Sequence, residues 1–357
     1  MVMTNETRAA REDKLQRLHD TLAGAVEALV SGDDWKRALT FAAQFRSRSF
    51  LNTLLIYAQH AERYAVGSVS EPVPTYVAGF RQWESLGRSV VKGQRGYMIQ
   101  APVTQRWAAE KTAEGTSLRK LGFREPPGPG EQVRTRIVNV KPAYVWDVCQ
   151  TEGEPLPERP APKLLEGQAP DGLWDGLARL VEAEGFELSR VESARVIGGA
   201  NGVTNYADRT VRVRLDMDDA AQVKTLAHEL AHVRMHDPDD AESWRHRGIG
   251  EVEAESVAMM IGAAHGMSTD RYTIPYVSGW ATTVNGRTPA EVLQATGERV
   301  RATALSVLNA LDTDQIGGGD PPGLDRSTLA HTTQPKTPAF TTVQVPPLAG
   351  QVMGAMA

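Results

Sequence analysis

Apolar residues recur at helical or strand spacing along most of this chain. Residues 10–30 are predicted to form an amphipathic helix, because leucines and a valine repeat every three or four positions between residues 15 and 29 and lie on one face. Further helices are predicted over 35–45, 50–63, 80–86, 173–185, 250–265 and 289–311. Strands are predicted over 89–91, 97–101, 136–140, 143–148, 186–190, 194–197, 203–206 and 210–215. This mixture predicts an α+β fold.

Three stretches lack such a period. Residues 104–134 are polar and predict an insertion or long loop. The proline-rich stretch 153–172 predicts a linker, and the Gly-, Pro- and Thr-rich end of the chain predicts disorder. The expected organisation is an N-terminal α+β domain at 8–152, a linker at 153–172, a C-terminal domain at 173–312 and a disordered tail at 313–357.

Charge and cysteine content bear on partners and location. Residues 1–150 contain 21 Lys and Arg against 15 Asp and Glu, whereas the rest of the chain contains 18 against 29. The asymmetry fits a front half that meets a polyanion, although ordinary surface variation also produces it. With a single cysteine, Cys149, no apolar run near the roughly 20 residues of a membrane span and a polar N-terminus, we expect a cytoplasmic protein with no membrane segment.

A His-Glu-x-x-His motif stands at His228, Glu229 and His232. Histidines four positions apart lie on one face of a helix and can bind one Zn²⁺, with the intervening glutamate as general base on a water. Asp218 and Asp219 are candidate N-terminal caps of this helix. His236 shares the same face but lies too far along the helix to join the two histidines.

A catalytic zinc normally has three protein ligands, and the next predicted helix offers three carboxylates. At about 100° per residue, Glu253 lies nearest the apolar face of that helix, followed by Glu251 and then Glu255. We therefore predict Glu253 as the third metal ligand, with Glu251 as the alternative. Glu255 is expected to be a solvated surface carboxylate. Oxyanion support is expected from His246, Tyr272 or Tyr276.

The stretches His228–His236 and Glu251–Ala258 resemble the ImmA/IrrE family of zinc metallopeptidases. Its pattern is His-Glu-x-x-His followed by a Glu-Ala-x-x-x-Ala helix. The resemblance covers roughly residues 175–270. It implies a zincin-like fold, with His228, His232 and Glu253 as zinc ligands and Glu229 as the catalytic residue.

The front half resembles the single-stranded-DNA-binding N-terminal domain of ArdC-type antirestriction proteins. The resemblance rests on five short motifs, at Ser49–Ile56, Val77–Trp83, Leu86–Gly96, Ile99–Pro102 and Val145–Gly153. It implies sequence-tolerant binding of single-stranded DNA by a protein of a mobile element or phage. Such binders combine a basic groove with exposed aromatic faces. The residues that we expect to contact DNA are Arg46, Arg48, Asn52, Trp83, Arg88, Lys92 and Arg95.

The sequence thus favours a single-stranded-DNA-binding protein with a zinc-dependent peptidase domain and an antirestriction or regulator-cleaving role. Its peptide or protein substrate is not indicated. The alternative is a passive DNA-protecting protein whose zinc site is structural or inactive. Hydrolysis of the bound nucleic acid is a weaker hypothesis, because nucleases commonly use two metal ions.

Overall fold

The computed structural model describes residues 5–29, 31–112, 115–122, 125–156, 167–236, 247–270, 272, 274, 277–282, 284 and 286–324. Its helices are α1 (Asn5–Glu27), α2 (Gly32–Gln44), α3 (Phe50–Ala65), α4 (Phe80–Ser85), α5 (Leu173–Ala183), α6 (Asp219–Met235), α7 (Arg247–Ala264), α8 (Val277–Ala281) and α9 (Pro289–Ala310). Its strands are β1 (Val77–Ala78), β2 (Arg88–Val90), β3 (Tyr97–Thr112), β4 (Gly115–Lys120), β5 (Gln132–Asp147), β6 (Thr151–Gly153), β7 (Glu187–Val191), β8 (Gly202–Asn205) and β9 (Thr210–Arg214). The predicted α+β class is confirmed.

Polar side chains fix the starts of the principal helices. Ser31 caps α2 in a capping box with Asp34, and Thr288 does the same for α9 with Glu291, followed by Pro289 in the first turn. Asp218 caps α6 by accepting a 2.7 Å hydrogen bond from the backbone N–H of Ala221. These caps satisfy backbone donors that have no partner inside the helix.

The chain divides into two compact units. One comprises residues 1–105 and 136–324, and the described part of the other lies within 106–135. In this second unit, β3 and β4 form an antiparallel hairpin with Trp107 opposite Lys120, and Arg119 forms ion pairs with Glu125 and Glu131. The polar stretch 104–134, predicted as a loop, is therefore largely strand, because its backbone groups pair with each other rather than with water.

In the larger unit, residues assigned from the sequence to two domains share one core. Trp35 of α2 packs on Phe50 of α3 and on Trp280 of α8, and its Nε1 donates to Oγ of Ser256 in α7 at 3.0 Å. Gly297 of α9 lies so close to the Phe50 ring that no side chain fits between them. The packing thus differs from the expected division at 153–172. Residues 157–166 of that predicted linker lie outside the described part of the chain.

Part of the predicted disordered tail is ordered. Ile316 donates its N–H to the carbonyl of Ala264 at 2.7 Å, and its own carbonyl accepts from Arg46 at 2.7 Å. The carbonyl of Gly319 accepts from the N–H of Val77 at 3.0 Å. Residues 313–324 therefore follow a fixed path, and their polar composition was misleading because their backbone groups have protein partners. Residues 325–357 lie outside the described part.

Short strand pairings complete the described part of the larger unit. Strands β7, β9 and β8 form a sheet in that order, with β7 parallel and β8 antiparallel to β9. Strand β5 pairs with β1, and β2 pairs with β6. The predicted strand at 194–197 is a 3-10 helix. No described helix is both long enough and apolar enough to cross a membrane.

Candidate functional site

The His-Glu-x-x-His motif lies in the middle of α6, opposite α7. The Nε2 atoms of His228 and His232 are 3.0 Å apart. The carboxylate of Glu251 lies 3.5 Å from Nε2 of His228 and 3.6 Å from Nε2 of His232. These three residues can each offer one ligand atom such that all three atoms lie within 4.8 Å of one another. The motif thus gains a third donor from α7.

That donor is Glu251 and not Glu253. The Glu251 side chain is 68% exposed at the rim of the helix pair, whereas that of Glu253 is 6% exposed and faces away from the cluster. Glu253 accepts from Nε2 of His236 at 3.1 Å and from Nε of Arg299 at 2.7 Å. The prediction assumed that the third metal ligand points toward the apolar face of α7. In the structure, His228 and His232 instead contact α7 at the edge of that face.

Glu255 also differs from its predicted role as a solvated carboxylate. Its side chain is 14% exposed and lies one helical turn beyond Glu251 on the same face of α7. One carboxylate oxygen is 2.8 Å from Nζ of Lys224, and the other is 3.3 Å from Nδ1 of His228. Glu255 therefore belongs to the polar cluster.

The carboxylates favour a positive charge at this cluster. Burial alone would lower the pKa of His228, but hydrogen bonds to Glu251 and Glu255 outweigh it and raise that pKa to about 9. The same histidines hold the pKa of Glu251 well below its ordinary value. A cation placed between the two imidazoles would be stabilised for the same electrostatic reason.

Glu229 is buried beside β8. Its Oε2 accepts a 2.7 Å hydrogen bond from the hydroxyl of Thr204. Burial raises the pKa of Glu229, and the bond from Thr204 acts against that increase. A carboxylate whose pKa lies above its ordinary value is a better general base near neutral pH. Gly202 permits this approach, because a Cβ there would lie 2.7 Å from Oε1 of Glu229.

A cleft of about 510 Å³ exposes these groups. Its walls are residues 200–204, Tyr206 and the facing side chains of α6 and α7. Among the described residues, β8 pairs with β9 along one side only, so it is an edge strand of this sheet. The strand predicted at 203–206 is observed at 202–205.

Tyr272, one of the three predicted oxyanion donors, is not among the residues that line the cleft. The hydroxyl of Tyr272 is buried and donates to the carbonyl of Ala258 at 3.2 Å. His246 and Tyr276 lie outside the described residues. Thr204, which the sequence analysis did not select, is the hydroxyl group that reaches Glu229.

Most of the predicted DNA-contacting side chains have partners inside the protein. Trp83 is fully buried and donates to the carbonyl of Trp146 at 3.0 Å. Asn52 forms two 2.9 Å hydrogen bonds with the backbone of Gln100, and Arg88 binds backbone carbonyls of β6 and the Thr151 hydroxyl. Arg46 binds the Ile316 carbonyl. These four side chains connect one element to another.

Arg48 likewise donates to the Val77 carbonyl at 2.7 Å. By contrast, Lys92 and Arg95 are exposed on the turn 92–96 between β2 and β3, which we call the basic loop. Gly93 in this loop has a φ of 92°, a conformation that favours glycine. Of the seven predicted residues, Lys92 and Arg95 are the ones displayed to solvent.

Aromatic side chains that the sequence analysis did not select lie beside the basic loop. Phe80 is 46% exposed and packs edge-on against Trp146, while Tyr144 is 42% exposed. A Cβ at Gly96 would lie 2.9 Å from the Trp146 ring and 3.0 Å from Cβ of Tyr144, so the loop rests directly on both residues. Tyr144 and Trp146 are two positions apart on β5, so both lie on one face of the strand. This spacing is the sequence feature that could have identified them.

Comparison with known proteins bears on the front part of the chain. Residues 12–146 match the family model of the N-terminal domain of the anti-restriction factor ArdC. This match confirms the predicted resemblance of the front region to ArdC-type proteins. Residues 147–357, which hold the candidate metal centre, lie outside the matched segment. No curated protein matches the chain.

Two crystal structures of the antirestriction ArdC protein from the R388 plasmid are similar to this chain. The metal-free structure has 18% sequence identity and a TM-score of 0.45, over 74% of this chain and 84% of that one. The Mn(II)-bound structure has 17% identity and a TM-score of 0.43, over 75% of this chain and 90% of that one.

Proposed function

We propose that this protein is a metal-dependent peptidase whose ArdC-like front region binds single-stranded DNA, and that it acts against host restriction. The observation that carries the peptidase proposal is the convergence of His228, His232 and Glu251 beside Glu229 in an open cleft. Two histidines and a glutamate with an additional glutamate base form the ligand set of thermolysin-type sites.

The donor set fits a single tetrahedral metal ion. Ligand atoms 2.0–2.1 Å from a tetrahedral centre are about 3.3 Å from one another. Here the two Nε2 atoms are 3.0 Å apart, one oxygen of Glu251 is 3.5 Å from His228 and its other oxygen is 3.6 Å from His232. With one ligand atom taken from each residue, all three atoms lie within 4.8 Å of one another. Zn²⁺ is the expected ion, although nitrogen and carboxylate donors also bind Mn²⁺. A bound ion would act as a Lewis acid toward a peptide carbonyl and activate water.

The protein groups around the cluster suit peptide hydrolysis. Glu229 accepts a proton from the attacking water and then delivers it to the leaving amine. Thr204 holds the Glu229 carboxylate through its 2.7 Å hydrogen bond. Strand β8 borders the same cleft, and its edge away from β9 is unpaired within the described part of the chain, so an extended peptide can pair with it as an added strand.

We place the DNA-binding surface at the basic loop and its aromatic neighbours. The loop backbone is held by side chains: Arg63 donates to the carbonyl of Gly96 at 2.9 Å, and Gln150 donates to that of Arg95 at 3.0 Å. A fixed backbone presents Lys92 and Arg95 at low entropic cost. Phe80 and Tyr144 offer exposed faces on which bases can stack.

The test of the peptidase proposal compares wild-type protein with Glu229→Gln. Each is loaded with Zn²⁺ or Mn²⁺ and incubated with a mixture of unstructured peptides, with and without single-stranded DNA, and cleavage is read by mass spectrometry. The matched control is Glu298→Gln, a half-buried glutamate of α9 that accepts from the N–H of Leu51. We expect cleavage by wild type and the control, and loss of at least 100-fold with Glu229→Gln.

Equal cleavage by wild type and Glu229→Gln would contradict the proposed role of Glu229. If metal-loaded wild type cleaves nothing while protecting DNA from restriction as well as Glu229→Gln does, the passive DNA-protecting alternative is the better account.

A further inference from the structure

Three glutamates of α7 alternate along the helix and have three different sets of partners. Glu251 and Glu255 are four residues apart and share a face, whereas Glu253 lies between them and projects about 200° away from each. Accordingly, Glu251 and Glu255 both reach His228, while Glu253 reaches His236 and Arg299. Helix α7 therefore supplies one carboxylate next to the Nε2 atoms of His228 and His232. Its two other carboxylates contact different nitrogens of the α6 histidines.

Behind His232 lies a continuous chain of hydrogen bonds. Its Nδ1 is 2.9 Å from Nδ1 of His236, and Nε2 of His236 is 3.1 Å from the carboxylate of Glu253. If Nε2 of His232 binds a metal, its Nδ1 carries the proton and donates to His236, whose Nε2–H then donates to Glu253. Arg299 holds the other oxygen of Glu253 at 2.7 Å. With a metal on Nε2 of His232, each of the other ring nitrogens in this chain is therefore fixed as either a hydrogen-bond donor or an acceptor.

Behind His228 lies a second carboxylate, at ion-pair distance and without hydrogen-bond geometry. Nδ1 of His228 is 3.3 Å from the carboxylate of Glu255, whose other oxygen is 2.8 Å from Nζ of Lys224. The side chains of Glu253 and Glu255 are 6% and 14% exposed, so solvent screens these contacts weakly. Metal-binding histidines generally donate their second N–H to such a carboxylate or carbonyl.

We infer that Glu253 and Glu255 are positioning residues of the metal centre, with Glu253 acting on His232 through His236 and Glu255 acting directly on His228. Glu251 is the ligand. This inference rests on the proposed metal site, and it reverses the roles that the sequence alone assigned to Glu251 and Glu253. The protein thereby fixes which nitrogen of each imidazole faces the metal.

The test measures the dissociation constant of Zn²⁺ by competition with a chelating dye, and the visible spectrum of the Co²⁺-loaded protein. We expect Glu251→Ala to abolish tight binding and to change the Co²⁺ spectrum. Glu253→Gln, Glu255→Gln and His236→Leu should each weaken Zn²⁺ binding by about 10- to 100-fold and leave the Co²⁺ spectrum of the saturated site unchanged. His236→Gln, whose amide can accept from His232 and donate to Glu253, should restore most of the affinity.

Glu298→Gln is the control for loss of a half-buried carboxylate away from the cluster. Melting temperatures without metal identify variants that fold poorly. If wild type binds no metal, the proposed metal site itself fails. If wild type binds Zn²⁺ but Glu253→Gln and Glu255→Gln bind it equally tightly, the positioning role is overturned. Abolished binding and an altered Co²⁺ spectrum in Glu253→Gln would make Glu253 a ligand and also overturn it.

Discussion

The candidate metal centre and the basic loop differ in what holds their charged side chains. At the metal centre, charged side chains contact one another, and all of those named here except Glu251 are buried or half-buried: His228 contacts Glu251 and Glu255, and Glu253 contacts His236 and Arg299. In the basic loop, protein contacts hold the backbone, and the Lys92 and Arg95 side chains are exposed. The first arrangement fixes side-chain geometry for chemistry, whereas the second presents charge to a flexible polyanion.

This difference predicts different costs of substitution. A change at the metal centre disturbs several coupled contacts in a weakly screened environment. A change at the basic loop should alter binding and leave the fold intact, because exposed cations contribute little to stability.

The largest expected effect separates two aromatic residues of α4. Trp83→Ala should lower the free energy of unfolding by about 3–5 kcal/mol, because the side chain is fully buried. Phe80→Ala should affect stability far less but weaken single-stranded-DNA binding by about 1–3 kcal/mol if bases stack on it. Urea unfolding and fluorescence titration with an oligonucleotide measure both. A Phe80 variant with unchanged DNA affinity would remove this residue from the proposed surface.

A second prediction concerns the hydrogen bond from Thr204 to Glu229. Thr204→Val removes a donor that stabilises the charged carboxylate, so the pKa of Glu229 should rise further. A general base acts when deprotonated, so the acidic limb of peptidase activity should move to higher pH. A bond to a charged group contributes about 1.5–3 kcal/mol, which corresponds to roughly one to two pH units. Thr210→Val, elsewhere in the same sheet, is the control; an unmoved pH profile in Thr204→Val would contradict the role of Glu229 as the base.

A third prediction tests how closely β8 must approach α6. In Gly202→Ala the new Cβ would lie 2.6 Å from Cγ2 of Thr225 and 2.7 Å from Oε1 of Glu229. Displacement of the strand should cost about 1–3 kcal/mol of stability and lower peptidase activity. Gly24→Ala, in α1 with nothing within 4 Å of the new Cβ, should be neutral or slightly stabilising. Thermal unfolding of both variants checks the contrast, and equal behaviour of the two would show that the close approach is unimportant.

The smallest expected effect lies at the basic loop. Lys92→Ala combined with Arg95→Ala should leave the melting temperature unchanged and weaken single-stranded-DNA binding. If each cation neutralises one phosphate, the slope of log affinity against log salt should decrease by about 1.4. Titrations at several salt concentrations measure this slope, and Arg106→Ala in the hairpin of the second unit provides a comparison. An unchanged slope would place the DNA elsewhere.

Much of the fold could be predicted from local patterns. The helices α1–α3, α5–α7 and α9 lie within a few residues of their predicted positions, because their apolar spacing and caps act over a few residues. The hairpin within 106–135, the ordered segment 313–324 and the shared core around Trp35 were not predicted. The segment 313–324 and Trp35 have stabilising partners that are distant in sequence. The hairpin instead pairs two strands that are neighbours in the chain, within a stretch whose polar composition predicted no strand.

The sequence by itself determined where the candidate chemistry lies. The spacing of His228 and His232 places both imidazoles on one helical face whatever surrounds them, and the motif places Glu229 between them. Sequence also determined that the front region carries the ArdC-like motifs.

Only the tertiary structure decided which glutamate of α7 completes the cluster and which cations are exposed. Glu251 faces the histidines because α6 and α7 meet at their rims, and Arg46, Arg48 and Arg88 are held by backbone carbonyls of distant elements. Hydrophobic periodicity reports the buried face of a helix, but it carries no information about the relative rotation of two packed helices or about backbone acceptors far along the chain.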